Sequence, residues 1–210
     1  NHIDWYTDMM LVNPFFNGID GFTKSWMLFD TLEDLITDNT WSGGTLSSGQ
    51  LVGSSTTNTL VDQSRFNTNS GEFTIEFDFT PDATDNNGSN HGLVSFGTGA
   101  SNTSYFIRYA NGHCAMVVQS SIGAGFQFAI SCFITGTTGQ KYRIALQRKA
   151  GGYQMYLDGV LLTPVYIDNA VNSFASSSNQ LKLGHVDSGV SEAMSGAMDN
   201  FKFSNGTARY

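Results

Sequence analysis

The chain has 210 residues, a formal net charge of −8 and a pI near 4.7, and 13% of its residues are charged. This length is sufficient for one all-β domain with a sizeable core. An acidic surface repels phosphate, which disfavours nucleic acids and anionic membranes as partners, and no apolar run reaches the ~18 residues that a membrane-spanning helix needs.

Residues 1–22 are rich in aromatic and methionine side chains but show no sustained hydrophobic period. Pro14 and the turn pairs Asn17-Gly18 and Asp20-Gly21 interrupt this segment. Two interpretations stay open: an arm that packs on this domain or on a neighbouring subunit, or an irregular first strand. We divide the chain into an N-terminal arm, 1–22, and a β domain, 23–210.

The strongest strand signal is in residues 72–80, EFTIEFDFT. Apolar and polar side chains alternate there, which predicts a strand with one buried face. That face comprises Phe73, Ile75, Phe77 and Phe79. Burial contributes ~2 kcal/mol for each of these side chains, so the strand is predicted to be central to stability. The earlier run 53–59, GSSTTNT, is predicted to be a polar loop.

Residues 113–119 and 125–133 predict a hairpin closed by SSIGAG. The register that places every apolar residue on one face pairs Val118 with Phe128, Met116 with Ile130, and Cys114 with Cys132. Facing cysteines either form a cross-strand disulfide, which has a demanding geometry, or stay as two buried free thiols.

Residues 141–161, KYRIALQRKAGGYQMYLDGVL, predict a second hairpin. Tyr142, Ile144, Leu146 and Arg148 share one face of its first strand. The turn at 150–152 contains two glycines, and a tight turn at Asp158-Gly159 leads into a further strand.

Four segments in this order resemble the laminin-G-like, concanavalin A-like jelly-roll family: GEFTIEFDFTP, KYRIALQRKAGGYQMYLDGVLL, NQLKLGHV and SGAMDNFKFSNGTARY. The last is similar to the closing strand of such domains in bacteriophage tail and other virion proteins. The resemblance covers about residues 24–210. It implies an all-β fold, a two-sheet antiparallel β-sandwich of the jelly-roll type preceded by the irregular arm. It also implies carbohydrate binding, adhesion or a spacer role, and a structural calcium ion in some members.

The resemblance makes Asp199 and Asp30 candidate calcium ligands, with Asp30 ending the first strand, WMLFD (26–30). The alternative is a buried or turn-capping Asp199. Burial of Met198 together with Phe201 requires a β-bulge at Asp199-Asn200, which would re-aim the aspartate. Calcium takes 6–8 oxygens, many of them backbone carbonyls, so the sequence does not decide between these interpretations.

Aromatic rings near polar loops are candidates for stacking on sugar rings. Tyr109, Tyr153 and Tyr156 are the predicted ligand-binding residues, and Phe106 and Tyr166 are further candidates. An enzyme is disfavoured because the E-x-D-x-x-E pattern of glucan hydrolases is incomplete. Glu76 and Asp78 match its first two acidic residues, but Pro81 stands where the second glutamate, the acid/base partner, would be.

The leading functional hypothesis is a non-enzymatic module that binds a glycan or a receptor on a virion surface or an extracellular structure. The second is a structural virion subunit, such as a capsid decoration, fibre or tail protein, that forms an oligomer with other subunits through residues 1–22. The third is an endo-acting glycanase or lyase.

Overall fold

The computed structural model describes residues 23–27, 41–58, 66, 68, 71–82, 91–97, 105–110, 112–118, 125, 127–150, 152–169, 181–187 and 191–210. The predicted arm, 1–22, and Asp30 lie outside these residues. The strands are β1 (Thr23–Met27), β2 (Trp41–Ser47), β3 (Gln50–Asn58), β4 (Phe73–Pro81), β5 (His91–Phe96), β6 (Tyr105–Ala110), β7 (His113–Val118), β8 (Gln127–Phe133), β9 (Tyr142–Lys149), β10 (Gly152–Leu157), β11 (Val160–Leu161), β12 (Pro164–Ile167), β13 (Leu181–Leu183), β14 (His185–Asp187), β15 (Ser191–Ala193) and β16 (Gly196–Asn205).

These strands form two antiparallel layers, which confirms the predicted β-sandwich. The first layer runs β11-β10-β9-β4-β16, with β1 on β16, and the second runs β13-β5-β6-β7-β8-β12. Strand β3 joins the layers, because Leu51 and Val52 pair with β16 while Thr56 and Thr57 pair with β13. The short hairpin β14-β15 packs beside the second layer.

The core lies between the layers and follows the alternation of the sequence. The predicted inner face of β4 is fully buried. The Phe79 ring lies 5.8 Å from the Tyr109 ring of β6, measured between centroids, so the two layers meet directly. Phe66 fills the space between Phe203 of β16 and Phe96 of β5, at 5.2 and 6.1 Å. Aromatic pairs of this geometry add to the burial energy.

The hairpin β9-β10 forms where it was predicted, although Gly152, which was placed in the first turn, is the first residue of β10 and pairs with Lys149. Arg148 pairs with Tyr153, and Leu157 pairs with Val160 across the second turn. Asp158 and Gly159 have φ values of 50° and 83°, and the backbone N–H of Arg143 donates to Asp158 Oδ1 at 2.8 Å. Two left-handed residues in a two-residue connection match the right-handed twist of the flanking strands.

The polar run 53–59, which is predicted to be a loop, lies largely in a strand instead. Residues 53–58 continue β3, because their backbone pairs with β2 and β13 and so joins the two layers. The segment after LKLGHV contains β15, which pairs with β14. LKLGHV itself divides into β13 and β14 at Gly184, whose φ of 71° interrupts a strand. A polar composition alone therefore does not exclude a strand.

Among the described strands, β11 and β12 are the outermost of the two layers, and the segment 160–167 connects them. It leaves β10 as β11 and ends as β12, which pairs with β8 on the opposite layer. Strand β12 was not predicted, and it extends the second layer by one strand beyond the predicted hairpin. Val160, Leu161, Val165 and Ile167 are all exposed.

Candidate functional site

The outer face of the second layer is built by the side chains that alternate away from the core. In β6, Tyr105, Ile107 and Tyr109 point inward, which leaves Phe106 and Arg108 on the outer side. Phe106 and Val117 are buried there with Val186 of β14, in a small second cluster. Strand β14 therefore covers one part of this face.

The remaining part of this outer face carries exposed aromatic rings beside polar groups. We call it the aromatic patch, and its members are Arg108, His113, Phe128, Ser131, Phe133 and Tyr166. Phe133 is 61% exposed, Tyr166 49% and Phe128 40%. Such large apolar side chains, clustered on a regular sheet, are unusual on a soluble surface and indicate a binding face.

Contacts between its members hold the patch in place. The Phe128 and Tyr166 rings lie edge to face, with centroids 6.2 Å apart. The Arg108 guanidinium lies over the Phe128 ring, 5.4 Å from its centroid. At the other end the His113 and Phe133 ring centroids are 4.1 Å apart, and His113 Nδ1 lies 3.5 Å from Ser131 Oγ, within hydrogen-bond distance. Aromatic faces, hydrogen-bonding groups and one cation are thus presented together.

Strand pairing fixes the dimensions of the patch. One row across the sheet runs Arg108, Ala115, Ser131 and Tyr166 on successive strands. Three strand spacings of about 4.8 Å make this row about 14 Å wide, and the rows on either side lie about 7 Å away along the strands. The small Ala115 side chain lies between larger neighbours. An area of this size accommodates two sugar rings.

A β-bulge places Phe128 in the patch and corrects the predicted register of β7 and β8. Cys114 pairs with Cys132 and Met116 with Ile130, as predicted, but the register shifts after Met116. Phe128 therefore pairs with Val117 instead of Val118. The prediction that every apolar residue of this hairpin shares one face is wrong, because the bulge turns Phe128 to the outer face.

Most of the tyrosines predicted to contact a ligand lie elsewhere. Tyr109 is 2% exposed, and its hydroxyl donates to the Ile134 carbonyl and accepts from the Gly136 N–H. Tyr153 is 3% exposed, and burial raises its pKa to about 12. Their burial contradicts a role as sugar platforms.

Tyr156 is half-buried, and its ring lies 4.9 Å from that of Tyr210, measured between centroids. Among the further candidates, Phe106 is buried and Tyr166 belongs to the patch. Sequence analysis missed Arg108, His113, Phe128 and Phe133. The mixed composition of β8 could have indicated Phe128 and Phe133, whereas no local signal distinguishes Arg108 of β6 or His113 of β7.

The outer face of the first layer is covered by the chain itself. Residues 206–210 lie over β4, β9 and β10, and we call this region the tail-covered face. The Gln147 side chain is fully buried there; its Oε1 accepts from the N–H groups of Arg209 and Tyr210, both at 3.0 Å, and its Nε2 donates to the Tyr210 carbonyl at 2.9 Å. The Tyr210 hydroxyl donates to Glu76. Burial and the Glu76 charge raise the pKa of Tyr210.

Asp199 lies at the predicted bulge of β16. The register shifts between Asp199 and Lys202, Asn200 has a φ of 50°, and both Met198 and Phe201 are buried. Asp199 Oδ1 accepts from the Asn200 N–H at 2.8 Å, and Lys141 Nζ donates to Asp199 Oδ2 at 3.2 Å. Both carboxylate oxygens thus already have partners.

Asp78 lies next to Asp199 on β4 and is likewise paired. Arg143 Nε donates to its Oδ1 at 3.1 Å, and Asn200 Nδ2 donates to its Oδ2 at 2.6 Å. Two cations balance the two aspartates, so these residues do not fit a calcium site, and no cluster of three or more His, Cys, Asp or Glu occurs within the described residues. Since Asp30 lies outside them, the calcium ion stays a prediction.

Cys114 and Cys132 face each other on the inner side of β7 and β8, beneath the patch. Both are buried free thiols. Burial raises the pKa of both, that of Cys132 to about 11, which suppresses the reactive thiolate. The pairing matches the sequence prediction, and of its two alternatives the structure has the two buried free thiols.

The described part of the chain contains no helix with the length and hydropathy to cross a membrane. No protein-family model matches the sequence, and no curated protein does.

The fold is similar to several solved structures. A botulinum neurotoxin serotype D binding domain aligns with a TM-score of 0.63, 11% identity, 89% of this chain and 49% of the toxin chain. A botulinum neurotoxin type C structure, reported with cell entry that depends on two ganglioside molecules, aligns with a TM-score of 0.65, 10% identity, and 89% and 49% coverage. The CBM40 of a Ruminococcus gnavus sialidase, bound to α2,3-sialyllactose, aligns with a TM-score of 0.52, 14% identity, and 67% and 78% coverage.

These likenesses support the β-sandwich fold. The chain spans about half the length of the toxin chains that it matches. The laminin-G-like and phage-tail affinities stay predictions.

Proposed function

We propose that this protein is a non-enzymatic carbohydrate-binding module and that the aromatic patch is its glycan site. One observation carries the proposal: Phe128, Phe133 and Tyr166 are exposed together on one regular sheet face, beside Arg108, His113 and Ser131. Aromatic faces pack on the apolar C–H faces of sugar rings, while convergent polar groups bind hydroxyls and fix the orientation of the sugar.

Two similar structures support this proposal through their fold and their ligands together. The type C neurotoxin depends on gangliosides for cell entry, and the sialidase CBM40 binds sialyllactose. Both share this sandwich at low identity, so the ligand class is transferred to this chain as a proposal only. We place the module on a virion surface or an extracellular structure, where it would engage a glycan or a glycosylated receptor.

A catalytic role finds little support in the placement of the carboxylates. Glu76, the first residue of the incomplete hydrolase pattern, accepts a hydrogen bond from Tyr210 beneath the tail-covered face. Asp78 is paired with Arg143. Both carboxylates are thus already engaged by other side chains of the chain.

A structural subunit is the second candidate. The observation that favours it is the exposure of apolar side chains on β11 and β12, the outermost of the described strands. Val160, Leu161 and Val165 are each more than half exposed there. Exposed, apolar edge strands add strands from another chain readily. In this alternative the protein forms an oligomer with other virion subunits, and residues 1–22 contribute to the assembly. Deletion of 1–22 should then change the oligomeric mass measured by light scattering.

The test of the glycan proposal is a glycan array probed with the whole chain, followed by calorimetric titration of each sugar that gives signal. We expect millimolar or tighter binding of at least one glycan. Tyr166→Ala should weaken that binding, and Leu161→Ala is the matched control, because Leu161 is similarly exposed but lies on β11 of the other layer, outside the aromatic patch. Absence of binding to any glycan would overturn the proposal.

A further inference from the structure

We infer that the aromatic patch selects an acidic sugar and that Arg108 binds its carboxylate. This inference rests on the proposed function, because it specifies the ligand class of the same site. It goes beyond carbohydrate binding in general, since a neutral sugar would need only the rings and the hydrogen-bonding groups.

The position of Arg108 is the first argument. It stands in the row that crosses the patch, at the opposite end from Tyr166. Its guanidinium packs on the Phe128 ring, which is itself exposed. The ring contact restrains a long, flexible side chain and so lowers the entropy lost when a ligand binds. The cation is therefore held ready at the surface that a stacked sugar would occupy.

The contrast with the other layer is the second argument. On the outer face of the first layer, Lys141 and Arg143 are matched by Asp199 and Asp78 in ion pairs. Within the described residues, the Arg108 guanidinium packs on an aromatic ring instead. A cation that packs on an exposed ring presents its charge to whatever binds beside that ring.

The chemistry of the guanidinium is the third argument. Its planar group can donate two parallel hydrogen bonds to one carboxylate, and such charge-assisted bonds are stronger than hydrogen bonds between neutral groups. The whole chain carries a net charge of −8, which disfavours an anionic ligand at long range. Salt screens that repulsion beyond about 8 Å at physiological ionic strength, so the charge of the nearby guanidinium determines the electrostatic interaction with a bound ligand. Sialic acids and uronic acids combine a pyranose C–H face with a carboxylate and fit both parts of the patch.

The experiment compares matched sugars by calorimetric titration of the whole chain. The probes are 3′-sialyllactose, 3′-sulfated lactose and lactose. We expect sialyllactose to bind about tenfold more tightly than lactose, because only the acidic sugar makes the charge-assisted bond. Raising sodium chloride from about 50 to about 300 mM should reduce the sialyllactose affinity and leave the lactose affinity unchanged.

Variants assign the preference to one residue. Arg108→Gln should reduce the ratio of sialyllactose to lactose affinity to about one while lactose binding persists, and Arg108→Lys should retain only part of the ratio. Arg143→Gln removes a cation from the opposite layer and should keep the full preference. Thermal unfolding midpoints of all variants control for folding.

The outcomes separate the two claims. Equal affinity for sialyllactose and lactose in the native chain, or a preference that survives in Arg108→Gln, overturns the inference and leaves the glycan proposal intact. Binding of the sulfated sugar without binding of the sialylated one overturns the assignment to a carboxylate. Absence of binding to every sugar overturns the proposed function and the inference together.

Discussion

The two outer faces of the sandwich differ in what covers them. On the first layer, residues 206–210 cover β4, β9 and β10, and Gln147, although polar, is fully buried. On the second layer, β14 packs on Phe106 and Val117, and the Phe128, Phe133 and Tyr166 rings of the aromatic patch beside them are exposed. Polar groups of the tail-covered face hydrogen-bond to other groups of the chain, whereas the aromatic patch exposes apolar side chains to solvent. The first face serves stability and the second is available for a ligand.

The largest expected effect comes from breaking the tail-covered face at Gln147. Its side chain makes bonds to the backbone of Arg209 and Tyr210 and to Gln154. Gln147→Ala removes the acceptor of the Tyr210 N–H, while the Arg209 N–H still donates to Thr74 Oγ1 and the Tyr210 carbonyl still accepts from Lys149 Nζ. Because three hydrogen bonds of a buried side chain are lost but two of the backbone groups keep a partner, we expect the free energy of unfolding to fall by about 2 kcal/mol. Urea unfolding measures it. Gln154→Ala is the matched control and should cost less than half as much; equal costs would mean that Gln147 does not fix the tail.

In the aromatic patch, a substitution should change glycan affinity and leave stability nearly unchanged. Phe133→Ala removes a ring that is mostly exposed, so we expect the free energy of unfolding to change by less than about 0.5 kcal/mol. The affinity for an array-identified glycan should fall about tenfold, which corresponds to about 1.4 kcal/mol. Urea unfolding and calorimetric titration measure the two quantities. Leu161→Ala should change neither, and an equal loss of affinity in that control would place the binding surface elsewhere.

A smaller effect is expected at Tyr210, whose hydroxyl donates to Glu76. Tyr210→Phe should lower the free energy of unfolding by about 1 kcal/mol at neutral pH. Because the folded pKa of Tyr210 is raised, its contribution is complete below the ordinary tyrosine pKa of about 10 and is lost as the pH rises above it.

The pH profile supplies the control for that variant. Unfolding measured between about pH 8 and about pH 11 should show a steeper loss of stability in the native chain than in Tyr210→Phe. Burial also raises the pKa of Tyr153, so both proteins should lose some stability at alkaline pH. Identical slopes would show that the Tyr210 hydroxyl is not engaged in the folded protein.

Local signals in the sequence predicted much of the fold. The alternation of β4 and the Asp158-Gly159 turn depend on neighbouring residues, and both are found where they were predicted. The facing pair Cys114 and Cys132 was likewise predicted from the alternation of two adjacent strands. Such features need only the strand period and the turn chemistry.

The patch could not be predicted because it depends on events distant in sequence. Phe128 is exposed only because a bulge follows Met116, and Tyr166 joins it only because β12 pairs with β8. Tyr109 satisfies the same composition rule as Tyr166 but faces Phe79 across the core. A tyrosine near a polar loop is thus ambiguous until the layer that it faces is known.

The smallest effect is expected for calcium, and it tests whether a metal belongs to the tail-covered layer. Asp199 and Asp78 are neutralised by Lys141 and Arg143, so a calcium ion bound there would have to displace a lysine ammonium group. We expect the thermal unfolding midpoint to differ by less than about 1 °C between calcium and EDTA. Binding to the folded state at a hundredfold excess over Kd would stabilise it by about 2.7 kcal/mol, which is easily measured. A shift of that size that disappears in Asp199→Ala would show that Asp30 or other residues complete a metal site, and the first layer would then bind a ligand as well.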